Sequence, residues 1–353
     1  MKIIHCADMH LDSPMQTHLS PEKARQRNAE ITQTFLELIA YARKERVTAV
    51  LITGDLFDEN RVSRKTLDMV LFAMEQAQET DFLYLPGNHD ARVLSSLPLP
   101  KNLKLFSHTW QCHSYGELRI WGLELTKENA HCLYDTLNCP TDGFNIVALH
   151  GQAATASGEG LIHLGRLKQK NIDYLALGHL HTHRLERLDT RGIWGYCGCL
   201  EGRGFDEIGE KGFVLLETGS AGVNIRFVPF ARRTLHAPEV DITGMRSNSQ
   251  VYAAIETQTG HIPEQDLVQI NLTGKKDPQA EISSDYLRQL LEGRFFALEF
   301  KNRWQLAVEE FQPDISLRGE YIRLVLEQDL PDDQKDLLLR MGLQALSGEE
   351  LSV

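Results

Sequence analysis

The sequence predicts an α/β fold: a mainly parallel sheet, a second sheet packed on it, and a small α+β module toward the C-terminal end. Three observations carry that reading. Residues 2–85 alternate apolar runs of strand length with helical patterns, as βαβ units around a buried parallel sheet do. Short strand-like runs then succeed one another with little helix between them. Near His236-Ala237-Pro238 the pattern breaks and the remaining third turns acidic. At 353 residues the chain is also long for a single domain.

Lys2 to Cys6 has no turn residues and opens the sheet as a central strand. Ser20-Pro21-Glu22 then supplies an N-cap, a proline at the first helical position and an early acid. They start a helix over residues 21–46, on the apolar face of Ile31, Phe35, Leu38, Ile39 and Ala42. Ala49 to Thr53 is the next strand, Ser63 to Ala77 a second helix built on Leu67, Val70, Leu71 and Met74, and Phe82 to Leu85 the third strand. After Leu97-Pro98-Leu99-Pro100, the expected strands of the second sheet are Leu103 to Phe106, Leu118 to Leu123, Asn145 to Leu149, Tyr174 to Leu177, Ile193 to Cys197, Phe213 to Glu217 and Val223 to Pro229. Gly151 to Gly160, small and polar, is expected to form a flap. In the acidic third, Val268 to Leu272 and Phe295 to Phe300 read as strands, and Ser284 to Leu291 and residues 331–346 as helices. The chain is thus expected to divide into a large domain at 1–235, a small α+β domain at 236–325 and a helical tail at 326–353.

Composition narrows the function classes. Hydrophobic content of 42% with 24% charged residues suits a soluble globular protein. No run approaches the roughly 18 apolar residues that cross a bilayer, and the N-terminus enters a strand at once, so a cytoplasmic protein without a membrane role is expected. Six cysteines lack the density of a disulfide scaffold, and Cys197-Gly-Cys199 offers only two of the four ligands of a structural zinc. The net charge of −12 argues against nucleic acid at first. It is unevenly spread: residues 236–353 hold 21 Asp and Glu against 11 Lys and Arg, which leaves only −2 for residues 1–235. Two divalent cations would make that first part mildly positive, so an anionic substrate is compatible with it.

Polar clusters stand where the apolar runs end. Asp8 and His10 follow the first strand, Gly54-Asp55-Leu56-Phe57-Asp58 the second, and Pro86-Gly87-Asn88-His89-Asp90 the third. His150 closes a later run, and His179 and His181 come after Tyr174 to Leu177. Taken singly, an Asp or Asn after a strand is a turn former and a lone His a packed or surface side chain. Turn chemistry alone rarely produces DxH, GDxxD, GNHD, a single His and GHxH in this order at strand ends, where ligand groups of α/β sheets gather.

These five motifs resemble those of the calcineurin-like metallophosphoesterases over roughly residues 1–230. The resemblance implies two packed mixed β-sheets flanked by helices, a four-layer sandwich with a two-metal centre, and a small α+β capping domain. Asp8, His10 and His181 would hold one ion and Asn88, His150 and His179 the other, with Asp55 bridging. A carboxylate suits that bridge because each oxygen can serve one cation while its charge screens their repulsion. The mixed imidazole, amide and carboxylate set suits borderline metals such as Mn, Fe or Zn better than the all-oxygen sites of Ca or Mg. Two ions about 3.5 to 4 Å apart can share a hydroxide and clamp a phosphoryl group. The resemblance further implies that His89 is the general acid for the leaving oxygen, oriented by Asp58; Asp90 is either a turn group or a support behind the ligands, or else a catalytic one.

His5-Cys6-Ala7-Asp8-Met9-His10-Leu11-Asp12-Ser13-Pro14, together with the GDLFD motif, is similar to the DNA-repair exonuclease branch of SbcD type and its YhaO-type subfamily. Leu200 to Phe205 with Glu207 and Lys211-Gly212 is similar to that subfamily as well. The protein phosphatases of the superfamily differ, continuing GDxxD with Arg-Gly and using GNHE. Likeness to the exonuclease branch implies a manganese-dependent nuclease acting on DNA with an SMC-like ATPase of the SbcC or YhaN type, often as a homodimer, the tail serving as docking element. Hydrolysis of a cyclic or dinucleotide, or a non-catalytic scaffold of the same fold, are the competing readings. Arg203 is the first candidate for a phosphate clamp, with a structural salt bridge as the competing role; His183 and Arg184 either reach substrate or lie on the surface.

Overall fold

The computed structural model describes residues 1–15, 19–58, 61–88, 90, 93–94, 97–219, 222–277, 280–307 and 315–346. The chain divides into two compact units, Met1–Thr234 and Leu235–Val353. The first begins β1 (Lys2–Cys6), α1 (Pro21–Lys44), β2 (Ala49–Thr53), α2 (Arg64–Gln76), β3 (Asp81–Leu85) and β4 (Leu103–Leu105). It continues with β5 (Gln111–Tyr115), β6 (Leu118–Gly122), α3 (Leu133–Thr136), β7 (Phe144–His150), β8 (Gln152–Ala154), β9 (Leu161–His163) and α4 (Leu164–Leu167). β10 (Tyr174–Gly178), β11 (Arg184–Arg187), β12 (Ile193–Tyr196), β13 (Gly212–Gly219) and β14 (Gly222–Pro229) complete it.

Two six-stranded mixed sheets result, ordered β14-β13-β1-β2-β3-β4 and β11-β12-β10-β7-β6-β5. In the first, β1 to β4 run parallel and the β13–β14 hairpin is added antiparallel to β1. In the second, β6, β7, β10 and β12 are parallel, with β5 and β11 antiparallel at the two edges. The strands read as continuous apolar runs because both faces are covered. Ile4, Val50, Ile52, Phe82 and Tyr84 point to Phe35, Leu38, Val70 and Met74 of α1 and α2. The alternate residues Ile3, Leu51, Leu83 and Leu85 meet Ile120, Ile146, Ala148 and Tyr174 of the other sheet. On its far side that sheet packs Val147, Leu149, Leu175 and Leu177 against Leu133, Tyr134 and Leu167. The layers are therefore helix, sheet, sheet, helix, with three apolar cores between them.

Ser20 and Ser63 cap α1 and α2 through side-chain oxygens that accept from Lys23 N and Thr66 N. Strand membership departs from the sequence expectation in one respect. Leu103–Leu105 and the hairpin Gly212–Pro229 extend the first sheet rather than the second. Chain order misleads here, because β13 returns across the molecule to pair with β1.

The second unit contains β15 (Leu235–His236), β16 (Glu239–Asp241), α5 (Asn248–Thr259), β17 (Leu267–Thr273), β18 (Lys275–Lys276), α6 (Ser284–Leu290), β19 (Ala297–Asn302), β20 (Gln305–Leu306), α7 (Leu317–Leu326) and α8 (Asp332–Leu346). β17 is its centre, parallel to β15, β16 and β19. Val251 and Ile255 of α5 and Leu287 of α6 cover it. Ile322 and Val325 of α7 pack with Leu339 and Leu343 of α8 in a smaller core. Among the described residues no helix is long and apolar enough to cross a membrane.

Leu83 is fully buried between the two sheets. Leu83→Ala is expected to destabilise the protein by about 2–5 kcal/mol, the cost of lost transfer energy plus a cavity. Denaturant unfolding of wild type and variant measures it; a difference below about 1 kcal/mol would contradict a rigid inter-sheet core.

Candidate metal centre

The sequence-selected side chains gather at the carboxyl ends of strands from both sheets. Asp8 and His10 follow β1, Asp55 follows β2 and Asn88 follows β3, while His150 ends β7 and His179 and His181 follow β10. The loops after β1 and β2 are zipped together: Asp8 N donates to Gly54 O at 3.1 Å, His10 N to Asp55 O at 2.9 Å and Leu11 N to Leu56 O at 2.9 Å. Asp8 (φ 55), His10 (φ 46), Asp55 (φ 52) and His179 (φ 113) all have positive φ. For residues with a Cβ this conformation is strained, and such strain concentrates at functional sites. Two glycines make room. A Cβ on Gly54 would lie 2.1 Å from His150 Nδ1, and one on Gly87 would lie 2.1 Å from Asp55 Oδ1.

Two groups of ligand atoms form. Asp8, His10 and His181 each offer one within 4.8 Å of the others, and Asp8, Asp55 and His150 do the same. Asp55 Oδ2 reaches toward both, 3.8 Å from His10 Nε2 and 3.4 Å from His150 Nε2. Asn88 Oδ1 is 2.9 Å from His150 Nε2. His179 stands edge-on to His150, ring centroids 5.5 Å apart, and its backbone N–H donates to both oxygens of Asp8 at 3.0 Å.

The donor chemistry fits cations. His150 Nδ1 lies 2.8 Å from Thr53 O, which can only accept, so Nδ1 carries the proton. In a neutral ring Nε2 is then a lone pair facing two further acceptors, Asn88 Oδ1 and Asp55 Oδ2. A proton or a metal ion at that point would satisfy the ring and the Asp55 carboxylate together. Burial pushes His150 down, but the hydrogen bond and charge of Asp55 outweigh it and raise the ring to about 9. Burial raises the Asp8 carboxyl to about 7, with His150 and His181 opposing and Asp55 adding to it. His10 Nε2 and His181 Nε2 are 3.3 Å apart. Two ring nitrogens bound to one ion at about 2.1 Å stand roughly 3.0 to 3.4 Å apart in adjacent positions.

Asp90 braces this arrangement. Its Oδ2 accepts from Leu56 N at 2.7 Å and Phe57 N at 3.1 Å, and its Oδ1 accepts from Gly87 N at 2.9 Å. One buried carboxylate thereby ties the loop carrying Asp55 to the turn carrying Asn88. Asp58 is half-buried, with Arg61 Nε 3.9 Å from its carboxylate. His89 lies outside the described residues.

The three side chains considered for substrate contact are placed differently. Arg203 is 6% exposed and donates to Ser13 Oγ at 3.0 Å and Glu207 Oε1 at 3.1 Å, which is the geometry of the salt-bridge role. His183 stacks on Phe227 at 4.3 Å and donates to Tyr196 O at 3.1 Å. Arg184 is exposed, paired with Glu186 and set over the Trp194 ring. Sequence reasoning gave Glu207 no role, yet it is 2% exposed and 2.5 Å from His181 Nδ1. Burial acts to raise its carboxyl, while His181 and Arg203 pull it down to about 2. The one signal for it in the sequence was its place in the Leu200 to Gly212 segment. Cys197 and Cys199 are buried and free.

A family model described as calcineurin-like phosphoesterase matches residues 1–183. YhaO of Bacillus subtilis, an uncharacterized metallophosphoesterase, is 27% identical over 278 residues, 72% of this chain and 67% of that protein. The DNA double-strand break repair protein Mre11 of Sulfurisphaera tokodaii is 28% identical over 204 residues, 53% of this chain and 51% of its own. That of Haloferax volcanii is 28% identical over 251 residues, 69% and 55% of the two chains. The chain thus spans about two thirds of the Bacillus relative and about half of the archaeal ones.

Gly87→Ala would drive a methyl group into Asp55. It is expected to weaken divalent-ion binding about tenfold or more while unfolding stays cooperative, the scale of disturbing a ligand's support. Titration with Mn²⁺ reads the first and thermal unfolding the second; wild-type affinity in a folded variant would refute the close approach.

Proposed function

Because the chain belongs to the calcineurin-like phosphoesterases, we propose that it is a two-metal phosphodiesterase that degrades DNA from its ends, with manganese as the working metal. The observation that carries the reading is the convergence of ligand atoms from Asp8, His10 and His181, and from Asp8, Asp55 and His150, each group within 4.8 Å of one another. Asp8, His10 and His181 hold one ion; Asn88, His150 and His179 hold the other; Asp55, within reach of both groups, bridges. When bound, such a pair supplies Lewis acidity at the phosphoryl group and activates the attacking water. His89 donates the proton to the leaving 3′ or 5′ oxygen, and Asp58 orients it. DNA as substrate is supported by the two Mre11 relatives, which are named as double-strand break repair proteins.

Residues 236–325 act as a cap that guides DNA, and the tail from 326 docks an SMC-like ATPase of the SbcC or YhaN type. Exposed Leu337, Leu338 and Leu346 support the docking role, since apolar side chains in water favour a partner. A homodimer belongs to the same reading.

His89→Ala is expected to keep its Mn²⁺ content and to lose cleavage by about 10²–10⁴-fold, the range for removing a general acid. Metal analysis and an assay on end-labelled duplex and single-stranded DNA, with and without the candidate ATPase, test this; normal turnover would remove His89 from the mechanism. Turnover of cyclic or dinucleotides with no cleavage of DNA would replace the nuclease reading with the small-molecule one. No turnover of either, in protein carrying both ions, would favour a scaffold.

A further inference from the structure

The segment between β12 and β13 carries none of the candidate ligands, yet it ends against one of them. We infer that Glu207 is a positioning residue for the ion site of Asp8, His10 and His181, aiming the His181 ring by holding its far nitrogen. The inference rests on the two-ion reading of the site.

The geometry runs outward from His181. Glu207 Oε1 is 2.5 Å from Nδ1, and a carboxylate only accepts, so Nδ1 carries the proton and Nε2 turns its lone pair toward Asp8 and His10. The side chain of His181 is 26% exposed, against 5% for His10 and 6% for His150. Packing alone holds it less than the others. Glu207 is itself fixed: Oε2 accepts from Arg203 N at 2.7 Å and Oε1 from Arg203 Nη2 at 3.1 Å. Arg203 Nη1 donates in turn to Ser13 Oγ at 3.0 Å, just past His10 in the chain. One buried ion pair thus joins the loop of His10 to the loop of His181.

The other end of the segment is anchored on α1. Glu201 accepts from Arg27 Nη2 at 2.9 Å, Thr34 Oγ1 at 2.7 Å and Arg232 N at 2.6 Å, and Arg27 also reaches Gly202 O at 3.1 Å. Both charged side chains of that pair are fully buried. The segment is therefore fixed at residues 201–202 and 207, and Glu207 meets His181 from a rigid base. An outer partner of this kind sets the tautomer and basicity of a ligating imidazole.

Glu207→Gln tests the role, because it keeps the size and one of the two acceptor oxygens while removing the charge. Mn²⁺ titration followed by electron paramagnetic resonance is the readout. The expected result is a loss of affinity of about 10–100-fold at one site, with the other retained and the coupled two-ion signal replaced by that of isolated Mn²⁺. If the variant unfolds early, the double variant Glu207→Gln, Arg203→Met removes both charges of the pair together and is read in the same way. Two ions bound with wild-type affinity, or an equal weakening of both, overturns the inference and leaves the two-ion reading standing. Wild-type protein that binds fewer than two ions overturns that reading and this inference with it.

Discussion

Asp8 and Asp55 are 1% and 2% exposed and share His150 as a close neighbour, so each carboxyl group has lost its water in the field of the other. Burying one carboxylate without a counter-charge is costly, and burying two together is costlier. The imidazoles meet part of the need: His150 is raised to about 9 although burial acts to lower it. Asp8, raised to about 7, meets another part by holding a proton more readily. Both shifts express one demand, which is positive charge at a point reached by side chains from two sheets. A divalent ion answers it with more charge per site than a proton does, and it also satisfies acceptor atoms that a single proton cannot bridge.

Such a cluster does not assemble from side-chain attraction alone. Four of its members sit on backbone at positive φ, which costs on the order of 1–3 kcal/mol each for a residue with a Cβ. The surroundings hold that strain by hydrogen bonding. The loops after β1 and β2 bond to each other, Asp90 takes three backbone N–H groups, and Asp8 takes the amide of His179. Under the site, His5 is fully buried and links the sheets, 2.7 Å from Tyr174 Oη of β10 and 2.9 Å from Thr53 Oγ1 of β2. Thr53 is also the residue whose carbonyl fixes the His150 ring. The apolar layers supply cohesion, and these few polar links set where the strand ends face one another.

The parallel core was legible in the sequence because its strands are buried on both faces and separated by capped amphipathic helices. Edges were not. β5 reads Gln-Cys-His-Ser-Tyr and β11 reads Arg-Leu-Glu-Arg, polar sequences that suit an edge and give no strand period of their own. The hairpin Gly212–Pro229 was visible as two strands, but its return to β1 is a long-range pairing that local pattern does not encode. In the second unit, α5 has little helical signature because only Val251, Ile255 and Thr259 are buried along it, one of them polar. At the site, residues whose role is to point at the strand ends were readable from spacing. Those that act through burial were legible only as alternatives: Asp90 reads as a supporting or turn group or as a catalytic one, and the Arg203 guanidinium suits a salt bridge and a phosphate contact alike.

The buried pairing of Arg203 with Glu207 bears on how an anionic substrate meets this protein. With Arg203 enclosed, the positive field at the site rests on bound ions rather than on a buried arginine. Residues 1–235 carry a net −2 and residues 236–353 a net −10, so apart from the centre there is little to attract a phosphate backbone over a long path. Recognition on the proposed reading is then local, one scissile phosphate at the ions and few neutralised phosphates beyond. Affinity for long DNA by this chain alone is weak on that argument, and its salt dependence shallow, since the slope follows the number of phosphates neutralised. On the proposed reading, a charge pattern of this kind places the demand for tight DNA binding outside the active site.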